Sequence, residues 1–250
     1  MMSLTEVSFR QIIKKQFRYK VKAYLGVFSS LIILQLVAIA FSFNGVGMMG
    51  TGSNHYSITI STFSANMVIV FTMLWAVIIS IMVTMKSYRN DDFSFVTNRL
   101  TSSLSTVVFL VVASIVAGMT AMLSSFLLKN IIYFLFSFEP ITGSASAISI
   151  GEVLLGMVAS SLYIVLFSSI GYFIGILVQW HRAFAISIPA MIFGLLFFGD
   201  QYMIGNPITW MGTFFFTESS FVLFACKILV ISGVLFGSSI FISTRLEVRR

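Results

Sequence analysis

Two histidines and one cysteine are the whole supply of imidazole and thiol in this 250-residue chain. His55 and His181 are the candidates for metal ligation or general-base work, and Cys226 for nucleophilic chemistry. A zinc site needs three or four ligands of this kind. Long apolar runs place the two histidines on opposite sides of a membrane, so they cannot share a metal, and HExxH does not occur. GxSxG and GxxxxGK[ST] are absent too, so neither a serine-hydrolase elbow nor a phosphate-binding loop is encoded. Gly45, Gly47 and Gly50 match GxGxxG, but a dinucleotide site needs that pattern between a strand and a helix of a soluble unit. Here it follows an apolar run. Cys226 lies within another such run and reads as packing. The chain is therefore expected to be non-catalytic, with no metal site and no cofactor of its own.

Polar groups inside apolar runs are the remaining candidates for function, because charge in hydrocarbon is costly. Lys227 stands about two turns into the last run, where it snorkels outward or meets Glu218. Gln35, Asn66 and Gln179 either line a cavity or bond a neighbouring helix. Gly171 with Gly175, and Gly233 with Gly237, form two GxxxG pairs that let helices approach closely, within one subunit or between subunits.

The elements that carry these residues follow from composition. Hydrophobic residues make up 58% and charged residues 9%, against about 25% charged in a soluble domain. A hydrocarbon core of about 30 Å needs roughly 20 apolar residues per helix. Such runs occur at 24–43, 63–85, 104–128, 153–178, 183–198 and 221–242. They do not alternate as barrel strands do. The fifth is short and holds Pro189. The first begins too far into the chain, and is too long, for a cleaved signal. The predicted fold is an all-α polytopic membrane protein: a cytoplasmic amphipathic helix at 1–23, then one six-span domain at 24–250.

Orientation comes from the basic residues. Arg10, Lys14, Lys15, Arg18, Lys20 and Lys22 form one cluster, Lys86, Arg89 and Arg99 a second, Arg182 a third, and Arg245, Arg249 and Arg250 a fourth. Only Lys129 and Lys227 fall outside. Successive clusters are two runs apart, so the positive-inside rule puts both termini in the cytoplasm and the protein in the cell membrane. The net charge of +7 thus faces anionic headgroups rather than nucleic acid.

Outside the runs, four segments have character. In the N-terminal arm Phe9, Ile13, Phe17 and Val21 recur at i+4 beside a parallel row of Arg10, Lys14, Arg18 and Lys22. That pattern predicts an interfacial helix, apolar side to lipid, basic row to headgroups or to a cytoplasmic partner. The segment 86–103 is longer than a tight helix connection needs. Asn90, Asp91 or Asp92 can cap a short helix there that presents Phe93, Val96 and Leu100 on one side, ringed by Asp91, Asp92 and Arg99. Residues 44–62, rich in Gly, Ser and Asn, read as a flexible external loop. Segments 130–152 and 199–220 are too broken to span and too apolar for solvated loops, and are expected to re-enter the outer interface as short helices.

This order of parts resembles the membrane subunits of type-2 ABC exporters, permeases for drugs, bacteriocins and amphipathic peptides. The resemblance covers nearly the whole chain and rests on architecture. It implies that Phe9, Arg10, Ile13, Lys14, Phe17 and Arg18 belong to a connecting helix. It implies also that Asp91, Asp92, Phe93, Val96, Arg99 and Leu100 belong to a coupling helix, 90–102, seated in a separate ATP-binding subunit. ATP and Mg would bind in that partner, and a second permease copy or a sister permease would complete the pathway for a hydrophobic or amphipathic substrate. Two rivals remain: an ion-coupled transporter of three-plus-three inverted spans, and a non-transporting membrane accessory protein.

Overall fold

The computed structural model describes residues 9–43, 47–53, 56–62, 66–85, 99–136, 149–202, 207–218 and 220–245. Within them run α1 (Phe9–Ala23), α2 (Leu25–Ser42), β1 (Gly47–Ser53), β2 (Tyr56–Thr62), α3 (Asn66–Thr84), α4 (Arg99–Phe136), α5 (Ile150–Trp180), α6 (Phe184–Tyr202), α7 (Pro207–Phe216) and α8 (Phe221–Arg245). Five of these helices, α2, α3, α4, α5 and α8, are long and apolar enough to cross a membrane. Their outward faces carry large apolar side chains such as Ile33, Leu36, Leu74, Ile78, Leu154, Val230 and Val234, which water would not tolerate and lipid does. The chain is a multi-pass membrane protein.

Helix α5 is central, packing against α3, α4 and α8. Its start is set by a capping box: Ser149 Oγ accepts from Gly151 N at 3.3 Å, and Glu152 Oε2 accepts from Ser149 N at 3.2 Å. Glu152 also places negative charge at the positive end of the helix dipole. Along the α3 contact, Gly171 and Gly175 remove the side chains that would hold the helices apart. A Cβ at Gly171 would lie 2.6 Å from the Val77 carbonyl oxygen and 2.8 Å from its Cα, and one at Gly175 would run into Thr84. The Ser80 and Ser168 hydroxyls bond across the same seam at 2.8 Å. The first GxxxG pair is thus an internal packing device. The second points elsewhere, since a Cβ added to Gly233 or Gly237 on α8 would meet no atom within 4 Å.

The main core joins Tyr24, Val27 and Leu31 to Trp75, Ala76 and Ile79 of α3, Phe109 and Leu110 of α4, Ile164 and Tyr172 of α5, and Phe236 of α8. Hydroxyl groups buried among them are satisfied mostly within their own helices, as where Thr72 Oγ1 donates to Val68 O and Ser114 Oγ to Leu110 O. In hydrocarbon that local bond is the cheapest way to hide a hydroxyl.

Two sequence expectations change. Residues 47–53 and 56–62, read as part of a flexible loop, pair as an antiparallel hairpin from Gly47↔Thr62 to Ser53↔Tyr56. The β-branched run Ile58, Thr59, Ile60 supports strand over loop. The third span is no 25-residue segment followed by a re-entrant helix: α4 runs unbroken for 38 residues, about 57 Å at 1.5 Å per residue. It takes in Asn130–Phe136 at one end and Arg99–Ser103 at the other, because no Pro or Gly interrupts the helical run at either boundary. The rest of the outer segment, 137–148, lies outside the described residues. By contrast, the segment at 199–220 does contain a separate short helix, α7.

Helix α6 coincides with the fifth run and keeps Pro189 inside it. Its apolar stretch, Phe184–Phe197, is shorter than those of the other five. It packs against α7 and meets α5 only slightly, which leaves Ile186 77% exposed.

Candidate functional site

The most unusual side chain among the described residues is Lys20, which is 1% exposed. A lysine ammonium leaves water at a cost of several kcal/mol unless acceptors replace its hydration. Here the replacement comes from the first two turns of α4: Nζ donates to the Ser102 carbonyl at 3.1 Å and to Thr106 Oγ1. The joint continues one step further along each helix. Tyr24, the single turn residue between α1 and α2, packs edge-on against Phe109 with ring centroids 5.5 Å apart, and Phe28 meets the same ring at 6.3 Å. Residues 102, 106 and 109 stand at i, i+4 and i+7, one stripe of α4. Phe17 and Val21 pack against the same core. The chain therefore carries α1 and its entry into α2 as one elbow pinned to the start of α4.

Burial of Gln16 on this face, at 6% exposure, completes the orientation. Its Oε1 has no hydrogen-bond partner among the described residues. Gln16 and Lys20 face α4, and Arg18, two residues from each, is rather more than half a turn away on a helix of 3.6 residues per turn. Arg10, Lys14, Lys15, Arg18 and Lys22 are all exposed.

This overturns the expected burial of α1. Its amphipathic pattern predicts an apolar side in lipid; Phe17 and Val21 instead pack on the protein's own core, Ile13 is half-buried beside them, and only Phe9, at the helix start, is largely exposed. Lys20, grouped by sequence with the topology-setting charges, is an interior hydrogen-bond donor. The physical reason is that α4 extends to Arg99 and so offers a partner face at the level of α1.

Of the predicted coupling residues, Asp91, Asp92, Phe93 and Val96 lie outside the described residues. Arg99 and Leu100 do not belong to a separate short helix: they open α4, and Leu100 is exposed. Sequence reasoning misses the joint residues themselves. Lys20 carries a usable signal, since it stands off the i+4 row of Arg10, Lys14, Arg18 and Lys22 and shares the side of Gln16. Ser102, Ser103, Ser105 and Thr106 also form a run of hydroxyls at a span boundary. Neither pattern names the partner.

The polar groups within the spans act as ties between helices. Gln35 Nε2 reaches Thr120 Oγ1 at 3.0 Å, the Ala117 carbonyl at 3.3 Å and Thr72 Oγ1 at 3.4 Å, so one side chain joins α2, α3 and α4. Gln179 donates to the Thr84 carbonyl, closing the far end of the α3–α5 seam. Asn66 is the exposed first residue of α3. Of the two readings open to Lys227, the contact with Glu218 is the one seen: it pairs with Glu218, donates to the Phe214 carbonyl at 2.9 Å and sits 3.9 Å from the centre of the Phe214 ring. That contact fastens α7 to α8.

Among the described residues no three His, Cys, Asp or Glu side chains cluster as a metal site would require. No protein-family model, no curated protein and no solved structure matches the chain.

Proposed function

We propose that this protein is the membrane-spanning permease subunit of an ATP-driven type-2 ABC exporter, moving a hydrophobic or amphipathic substrate, a peptide or a drug, out of the cell. The observation that supports this reading is the joint between α1 and α4. A basic amphipathic helix, cytoplasmic in this reading, is locked by Lys20, Tyr24 and Phe28 to the first turns of a 38-residue helix. A push delivered to α1, or to the segment just ahead of Arg99, would then move a whole spanning helix rather than dissipate in a loop.

In this reading ATP and Mg bind in a separate subunit, the 86–98 segment is its main contact, and α1 braces it. Closure of two ATP-binding subunits switches a pathway between two permease copies, or this chain and a sister permease, from inward to outward access. That works only if the ATP-binding subunit holds the two conformations with unequal affinity. With α6 as a sixth crossing, both termini are cytoplasmic. At 19 residues it measures about 28 Å, close to the hydrocarbon thickness.

The test is gentle solubilisation followed by co-purification with a nucleotide-binding subunit, and transport assayed with and without ATP. The paired change Asp92→Ala with Phe93→Ala should abolish substrate-stimulated ATP hydrolysis while leaving membrane insertion intact. Transport that runs on an ion gradient and ignores ATP would favour the three-plus-three transporter; no transport and no ATP-binding partner would favour an accessory protein.

A further inference from the structure

The buried and exposed sides of α1 divide its charge in a way that composition does not show. Helix α1 contains no acidic residue, and its one buried cation, Lys20, is spent on α4. The other five, Arg10, Lys14, Lys15, Arg18 and Lys22, are all exposed, with Lys15, Arg18 and Lys22 turned away from the side on which Gln16, Phe17, Lys20 and Val21 pack, and Arg10 and Lys14 nearer its edge. From Arg10 to Lys22 the row extends about 18 Å at 1.5 Å per residue. No described residue forms an ion pair with it: Glu218, the one described partner in a salt bridge, is committed to Lys227.

We infer that this row seats the phosphate groups of anionic lipids in the cytoplasmic leaflet. Two features favour a lipid surface over an acidic protein. First, only Tyr24 separates α1 from α2, and Lys22 is three positions ahead of Leu25, where the spanning helix begins and its side chains are already exposed to the surroundings. The row therefore starts at the membrane boundary instead of on a stalk beyond it. Second, α1 lies along the opening turns of α4, itself a spanning helix, so it is held at headgroup level by Lys20 and Phe109 contacts. Regularly spaced cations at that level match a field of phosphates, to which each Lys or Arg adds about fivefold in affinity. Through Lys20 the lipid would hold α1 and the start of α4 in register.

The inference rests on the cytoplasmic placement of α1, and the experiment separates the two. The full chain in detergent is titrated with phosphatidylglycerol and with phosphatidylcholine, and retained lipid is counted by native mass spectrometry. Wild type should prefer phosphatidylglycerol. Arg10→Gln, Lys14→Gln, Arg18→Gln and Lys22→Gln together should reduce that preference at least tenfold, whereas Lys129→Gln, outside the cytoplasmic clusters, should leave it nearly intact. On the unaltered chain, raising salt from about 0.15 M to about 1 M should weaken the preference, since the screening length falls from about 8 Å to about 3 Å. An unchanged lipid preference in the row variant, or none that salt reduces, overturns the inference. So does a row variant that keeps its lipid but releases an ATP-binding subunit, which would make the row a protein contact. Placement is read independently by Gln11→Cys in a Cys226→Ala background. Labelling by an impermeant maleimide from outside the cell overturns the topology itself; protection from outside with no lipid preference overturns only the lipid seat.

Discussion

Replacing Thr106 by Val in the native protein, and again in a Lys20→Met background, should give two different costs. Val matches Thr in shape and removes only the hydroxyl. In the native protein that hydroxyl accepts from the Lys20 ammonium, and a hydrogen bond to a charged group is worth about 1.5–3 kcal/mol. With Lys20 1% exposed, water cannot step in. In the Lys20→Met background there is no ammonium to satisfy, and the hydroxyl retains only its bond to the Ser102 carbonyl at 3.0 Å. That carbonyl also accepts from Ser105 Oγ at 2.8 Å, so losing Thr106 leaves no acceptor stranded and the second cost should be about 0.5 kcal/mol or less. The difference, about 1–2.5 kcal/mol, is the coupling between α1 and α4. It can be measured by reversible unfolding in bicelles, with all four members of the cycle purified at matched lipid ratios. Equal costs in the two backgrounds would mean that Lys20 reaches solvent instead of Thr106, and the joint as described would be wrong.

Other substitutions separate the remaining contacts. Gly171→Ala should destabilise the protein by more than about 2 kcal/mol, since overpacking against the Val77 backbone cannot relax by a rotamer change. Gly233→Ala and Gly237→Ala meet nothing and should change the unfolding free energy of the isolated chain by less than about 1 kcal/mol. Gln35→Leu should cost only about 0.6–1.7 kcal/mol in a bilayer mimic, because Thr72 and Thr120 keep their bonds to Val68 and Val116; a cost several times larger would show that Gln35 does more than tie helices. For topology, cysteines placed at Gln11 and at Arg245 in a Cys226→Ala background should be labelled from the same side of the membrane if α6 crosses it. Labelling from opposite sides would leave five crossings.

The legible parts of this molecule are those encoded by neighbours in sequence. Hydropathy averaged over a turn or two locates α2, α3, α5 and α8 to within a few residues, because insertion of a span into lipid depends on its own side chains. The same local logic recognises α1 as amphipathic and α7 as a short apolar helix. It goes astray where two local readings are compatible with one composition. Residues 47–62 combine turn-formers with a short β-branched run, and the pairing of 47–53 with 56–62 decides between loop and strand. The ends of α4 have hydroxyls and one lysine, which read as boundary signals, yet helix continues through them.

Partnership is the part that only the tertiary structure decides. The two GxxxG pairs are equivalent as sequence, but Gly171 and Gly175 meet the α3 backbone and Thr84 while Gly233 and Gly237 meet nothing. Lys227 and Lys20 are both lysines near a helix end, and one pairs with Glu218 while the other is enclosed by α4. Lys20 and Thr106 stand 86 positions apart, and no periodicity within either helix records that separation. Sequence determined that this chain lives in a membrane and roughly where it crosses, since a helix in lipid satisfies its own backbone. Which face of each helix meets protein and which meets lipid followed from the packing alone, because apolar side chains serve both neighbours equally well.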